Sequence, residues 1–135
     1  MATNTAGTQA RDLGIEAVHY LRKTIKVGDA ATTVTVGYLP AGAVIIKPMS
    51  GVMVHTVFNA GTNNRLDIGP STDSGTNLWA TLLTLLGLGF IPIDEAVTNR
   101  VESDTTVQAY VDVTGVAATT GEAEIIICYV VDNDL

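Results

Sequence analysis

Beyond position 66 the chain carries a single basic side chain, Arg100, and over its 135 residues it has one cysteine, two histidines and seven aromatics. Each scarcity removes a class of protein. A lone Cys128 cannot close an internal disulfide, and inside "EIIICYVV" it reads as a small buried hydrophobe rather than a nucleophile. His19 and His55 lie in separate strand patterns, with no His-x-His pair and no third histidine, so the ligand set of a cupin-type metal site is missing. Basic patches interleaved with aromatics are absent and the net charge is −7, which disfavours binding to a phosphate backbone. The longest apolar run, "LLTLLGLGFIPI" at 82–93, is too short to cross a bilayer, and "MATNTAGTQARDLG" has no apolar core of a secretory signal. The expectation is a soluble protein made in a cytoplasm.

Catalytic motifs are equally scarce. No G-x-S-x-G elbow occurs, since "STDSG" has the wrong spacing. Neither phosphate-loop pattern is present, and "GLGF" at 87–90 lacks the third glycine and the preceding strand. Hard oxygen ligands are available in Asp67 and Asp73, with Asp94, Glu95 or Asp104 as further donors, but the spacing of an EF-hand loop is absent. Asp67 in "LDIG" and Asp73 in "STDSG" read first as an outward strand residue and a turn former. The chain is expected to be non-enzymatic and to hold no cofactor and no metal.

What is abundant is small and β-branched apolar residues: 47% of the chain is hydrophobic and only 16% charged, against about one-quarter charged in an ordinary soluble domain. Such a composition suits sheets and leaves apolar surface for another chain. Charge is also divided along the sequence, residues 1–66 summing to +3 and residues 67–135 to −10. That asymmetry could orient copies against one another, although a folded sandwich mixes the two halves in space.

Residues 1–14 show no apolar period and read as a flexible N-terminal arm; residues 15–135 read as one domain. From Ile15 the pattern alternates, with Leu21, Ile25 and Val27 on one face, which predicts a strand. "TTVTVGYL" follows with Val34, Val36 and Tyr38 on one side, then a Pro-Gly turn in "LPAGA", then "SGVMVHTVF" with Val52, Val54, Thr56 and Phe58 together. "NAGTNN" reads as a hairpin turn into the short strand "RLDIG", with Leu66 and Ile68 inward. "LWATLLTLL" at 78–86 is the one plausible helix, and "GLGFIPID" a loop or edge strand. A short strand near "RVES" precedes "TVQAYVDVTG", with Val107, Ala109, Val111 and Val113 inward. The last strand, "GEAEIIICYVV", points Ala123, Ile125, Ile127, Tyr129 and Val131 inward. The predicted fold is all-β: an antiparallel β-sandwich, jelly-roll-like, of about eight strands with at most one short helix near 78–86.

Two stretches carry a family resemblance: "TVTVGYLPAGAVIIKPMSGVMVHTVFNAGTNNRLDIGPSTD" at 33–73 and "TGEAEIIICYVVDN" at 120–133. They resemble the capsid cement or decoration proteins of tailed bacteriophages, in which a "VGxLPAGAVI" segment precedes "FNAGT…LDIGxSTD" and a closing "G…A…I…Y" strand. The resemblance spans roughly the last hundred residues and rests on structural turns. It implies a jelly-roll subunit on the capsid exterior, made in the host bacterial cytoplasm, that bridges neighbouring major capsid subunits and self-associates as a dimer or trimer. Neither nucleic acid nor membrane is expected as a partner, on the charge and run length given above. Contact residues are expected in the arm and loops: Arg11, Asp12, Asn63, Asn64, Arg65 and Asp73. The alternative is another phage virion component, tail-associated or a receptor- or carbohydrate-binding sandwich with Trp79, Tyr38 or Tyr110 as stacking platforms; Trp79 lies in the most apolar stretch and is expected to be buried.

Overall fold

A computed structural model describes residues 18–71, 79–94 and 100–131. The proposed arm, residues 1–14, lies outside them, as do Arg11, Asp12, Asp73 and Glu95.

The period-two segments form nine strands: β1 His19–Lys26, β2 Thr33–Leu39, β3 Val44–Ile45, β4 Gly51–Thr56, β5 Asn63–Pro70, β6 Ala80–Thr84, β7 Gly89–Pro92, β8 Thr105–Thr114 and β9 Glu122–Val130. Single-turn 3-10 helices, Val27–Asp29 and Lys47–Met49, punctuate two of the connections. One sheet runs β1-β9-β4-β7, with the two-residue β3 also pairing β9; the other runs β2-β8-β5-β6, and every pairing is antiparallel. Apart from β3, the chain changes sheet at every connection except β5 to β6. This nesting of first strand with last and second with second-to-last is the jelly roll that the alternation predicted.

Both strands expected to supply the core do so. Val107, Ala109, Val111 and Val113 of β8 face Ala123, Ile125 and Ile127 of β9 through the sandwich, all buried. Val52, Val54, Phe58, Leu66 and Ile68 complete the layer between the sheets. Each buried aliphatic side chain of this kind contributes on the order of 1.5–3 kcal/mol relative to exposure.

Four sequence readings are corrected. The segment at 78–86 is no helix where described: Trp79 N–H donates to Ile68 O at 3.0 Å and Leu85 N–H to Asn64 O at 2.9 Å, so β6 ladders onto β5. Its register slips between Leu66 and Ile68, and Leu82 takes the left-handed conformation at φ 58. That bulge puts Ala80, Leu83 and Leu85 inward at spacings of three and two, which imitates a helical period in the sequence. In β2 a slip between Thr35 and Gly37 reverses the inward parity, so Val36 and then Leu39 are buried while Tyr38 is 71% exposed. "NAGTNN" is no hairpin, because β4 and β5 belong to different sheets. Near "RVES" there is only an isolated bridge, Arg100 to Val44, with Val101 N–H donating to Ala43 O at 2.9 Å.

Candidate interaction surface

The pairing registers place the ends of the strands unambiguously. Lys26 pairs Glu122, Thr56 pairs Glu122 and Val54 pairs Gly89 in one sheet. In the other, Asn63 pairs Thr114 and Arg65 pairs Thr84. The connections 27–32, 57–62, 85–88 and 115–121 therefore gather at one end of the sandwich. Their sequences, "VGDAAT", "VFNAGT", "LLGL" and "GVAATTG", contain one charged residue, Asp29, whose carboxylate accepts the Lys26 backbone N–H at 2.9 Å. At the opposite end the described connections carry Lys47, Asp94, Arg100, Glu102 and Asp104. The connections at the first end are thus poor in charge, although the strand ends beside them bring the pair Lys26–Glu122 and, in the other sheet, Arg65.

This end exposes apolar side chains on connections that are bonded to one another. Leu86 is 61% exposed, Leu88 72% and Val116 79%. Beside them a shallow groove of about 280 Å³ is lined by Thr62, Asn63, Asn64, Arg65, Leu82, Thr84 and Leu86. Backbone bonds stitch the connections together: Gly61 N–H to Val116 O at 2.9 Å, Thr62 N–H to Thr114 O at 3.0 Å and Phe58 N–H to Leu85 O at 3.0 Å. Asn59 adds a second clamp, its Oδ1 accepting the Thr119 and Thr120 backbone N–H groups at 2.8 and 3.1 Å and its Nδ2 donating to Thr119 Oγ1 at 2.9 Å. Close approach requires glycine here: a Cβ on Gly121 would fall 2.3 Å from the Phe58 ring, at a φ of +153.

Of the residues expected to make contacts, Asn63 and Arg65 line the groove. Arg65 donates from Nη2 to Asn63 Oδ1, and its Nε lies 3.8 Å from Asp112 Oδ2 on β8. Asn64 is buried and turned inward. Its Oδ1 accepts the Ala60 N–H at 2.8 Å and its Nδ2 donates to Ala60 O at 3.0 Å, so its part is to hold the 57–62 connection in shape. Sequence reasoning missed Leu82, Leu86, Leu88 and Val116. The signal was present in "LLTLLGLGF", whose leucines at 82, 86 and 88 keep an even parity opposite buried Leu83 and Leu85.

Three cations of the first half pair with acids of the second. Arg22 and Lys26 of β1 pair with Glu124 and Glu122 of β9, and Arg65 of β5 with Asp112 of β8. The hydrogen bond from Arg22 holds the Glu124 carboxyl below the usual carboxylate range, and the same bond raises the Arg22 pKa. His55 Nε2 lies 3.5 Å from the second oxygen of Glu124, and His19 stacks on Tyr129 at 5.6 Å between ring centres.

Of the acids weighed as calcium ligands, the three within the described residues are turned to backbone amides. Asp67 Oδ1 accepts the Leu82 N–H at 2.7 Å, Asp94 Oδ1 the Thr81 N–H at 3.2 Å, and Asp104 Oδ1 the Ala41 N–H at 3.0 Å. Among the described residues no three His, Cys, Asp or Glu side chains come together. Cys128 is buried, and burial pushes its thiol pKa up. Trp79 is 2% exposed, as its apolar surroundings predicted.

Two chains from phage capsid structures share this fold. A chain in the acidic stable capsid structure of Helicobacter pylori bacteriophage KHP30 superposes with a TM-score of 0.63 at 15% identity, covering 85% of this chain and 89% of that one. A chain in the cyanophage Pam1 capsid asymmetric unit superposes with a TM-score of 0.54 at 20% identity, covering 97% and 99%. No family model and no curated protein matches the sequence. At these identities the likeness is one of fold, and it extends over nearly the whole of each chain.

Proposed function

We propose that this chain is a structural protein of a phage virion that binds the outer surface of the capsid and bridges neighbouring major capsid subunits, acting as a homo-oligomer. The observation that carries the reading is the near-complete mutual coverage with chains of two phage capsids, at 85% and 89% for one and 97% and 99% for the other. A fold does not by itself fix a role. Here the strands of the jelly roll run through the described residues from His19 to Val130, and the sequence segments that resemble cement proteins, 33–73 and 120–133, include β2 to β5 and β9.

Such a role needs no bond-making chemistry, only surfaces that fit, and repeated attachment lets weak contacts sum, because each contact after the first is intramolecular. Arg11, Asp12, Asn63, Arg65 and Asp73 are the proposed contacts with the shell, Asn64 supporting the connection beside them. Titrating purified protein onto expanded capsid shells that lack it, followed by sedimentation, tests the reading. Saturable binding at a fixed number of copies per shell is the expected result. Absence of saturation would overturn it.

A further inference from the structure

We propose that the outer face of the β2-β8-β5-β6 sheet carries a binding site for neutral oligosaccharides, in which Tyr38 and Tyr110 stack on sugar rings and Gln108 bonds hydroxyls between them. The inference goes beyond the proposed role and does not need it, since the site is read from the subunit alone.

Of the three aromatics weighed as stacking platforms, Trp79 is spent in the core, and strand pairing brings the other two to one face. On β8 the odd positions from Val107 to Val113 point inward, so Thr106, Gln108 and Tyr110 point outward. Directly opposite partners share a face, and these three stand opposite Tyr38, Thr35 and Thr33 of β2. Tyr38 is there only because of the slip between Thr35 and Gly37; without it the residue would follow Val34 and Val36 inward. Bulges that re-aim one side chain in this way recur beside functional sites. The slip leaves Tyr38 71% exposed, more than any other aromatic among the described residues, with Tyr110 half-buried in the sheet surface.

Two properties of the strip choose the ligand. Its six side chains carry no charge, and none of them makes a hydrogen bond among the described residues. The polar side chains on the neighbouring rows are already engaged: Asp67 accepts the Leu82 N–H, and Arg65 donates to Asn63 beside Asp112. The threonine and tyrosine hydroxyls and the Gln108 amide are left to donate and accept elsewhere. A sugar uses both parts of such a surface, its C–H face against an aromatic ring and its hydroxyls toward hydroxyls and amides.

Charge narrows the class further. Asp67 stands directly opposite Tyr110, Asp112 follows on the same face of β8, and the whole chain carries −7, so acidic saccharides and phosphate-bearing ligands are repelled where neutral ones are not. A protein partner fits less well. The strip holds no Met, Arg or aliphatic side chain, whereas the cores of protein interfaces are apolar and enriched in Met and Arg.

The dimensions agree with a linked chain of sugars. Thr106, opposite Tyr38, and Tyr110 are four residues apart on β8, roughly 13 Å, with Gln108 midway. Because β2 ends its sheet, the ligand reaches the strip from an open flank. Asn63 and Arg65 lie toward the other end, where Asn63 pairs Thr114, eight residues and roughly 27 Å along β8 from Thr106.

Titrating the isotope-labelled full chain with maltohexaose, cellohexaose, mannohexaose and chitohexaose, followed by amide and glutamine side-chain NMR shifts, tests the inference. Saturable shifts confined to β2 and β8 are expected with at least one of these sugars. Tyr38→Ala and Tyr110→Ala are expected to keep the β-sheet circular dichroism and to weaken that binding roughly threefold to tenfold. Tyr38→Phe keeps most of it, and Tyr20→Ala, at an exposed tyrosine of the other sheet, leaves it unchanged. No saturable shift with any of the four sugars, binding that survives both alanine variants, or tighter binding of sulfated dextran would overturn the inference. Shell titration with the same variants separates the two proposals. Weakened shell binding by Tyr38→Ala in a protein that takes no sugar makes the strip a shell contact, which overturns the inference and leaves the proposed role standing.

Discussion

Arg22 on β1 donates a side-chain hydrogen bond to Glu124 on β9 across a diagonal of the pair, since Glu124 stands directly opposite Thr24. Diagonal neighbours of this kind are within reach of long side chains. The contact joins a cation from the basic half of the sequence to an acid from the acidic half, and the other oxygen of Glu124 faces His55 on β4. One carboxylate thereby links three adjacent strands of the sheet.

From this follows a pH dependence with a definite sign. The folded-state pKa of Glu124 is lowered, so its stabilisation is fully present above the ordinary glutamate pKa of about 4.3 and is lost as pH falls through the lower folded value. Glu124→Gln should be less stable than the wild type at pH 7, and the gap should close progressively on acidification below about pH 4.3. Urea midpoints across a pH series give the result. A gap that stays constant to acid would show that the carboxylate charge plays no part.

Ser50 supplies a second prediction. It is fully buried, donates from Oγ to Ile46 O at 2.8 Å and accepts the Cys128 backbone N–H at 3.0 Å, tying the Lys47–Met49 turn to β9. Ser50→Ala deletes that acceptor and strands a buried donor, at a cost of about 1–3 kcal/mol. Equilibrium unfolding in urea measures it, with the slope unchanged if the native state stays compact. A loss well under 0.5 kcal/mol would mean that the Cys128 N–H finds another partner.

Gly115 leads β8 into the 115–121 connection with φ +98, and a Cβ there would sit 2.3 Å from Thr62 Oγ1 and 2.6 Å from the Thr62 backbone nitrogen. Backbone on the far side of the contact cannot yield as a flexible side chain does. Gly115→Ala is expected to lower stability by about 1–3 kcal/mol and to speed hydrogen exchange at the Gly61 and Thr62 amides, which bond Val116 O and Thr114 O. Unchanged exchange at those two amides would count against the stitched geometry of this end.

Much of the sandwich was legible because side chains alternate on a pleated strand regardless of what the strand pairs with. The inward residues of β8, Val107 through Val113, and of β9, Ala123 through Ile127, can be read from spacing alone. The readings failed where a bulge shifts parity. At 35–37 it turns Tyr38 outward, and around Leu82 it spaces buried residues like a helix. A bulge is set by the partner strand and by distant caps, here Asp67 and Asp94, and leaves no local signature. Of the expected contacts within the described residues, Asn63 and Arg65 were found on a groove, while Asn64 faces inward because Ala60 takes both ends of its amide.

The sequence by itself determined that this protein is a sandwich with little charge and much β-branched apolar content, because burial of alternating side chains is a local property of each strand. Only the tertiary structure decided which connections meet. Antiparallel pairing brings residues as distant as 29, 59, 86 and 116 to one end, so the cluster of exposed Leu86, Leu88 and Val116 exists only once the strands have paired.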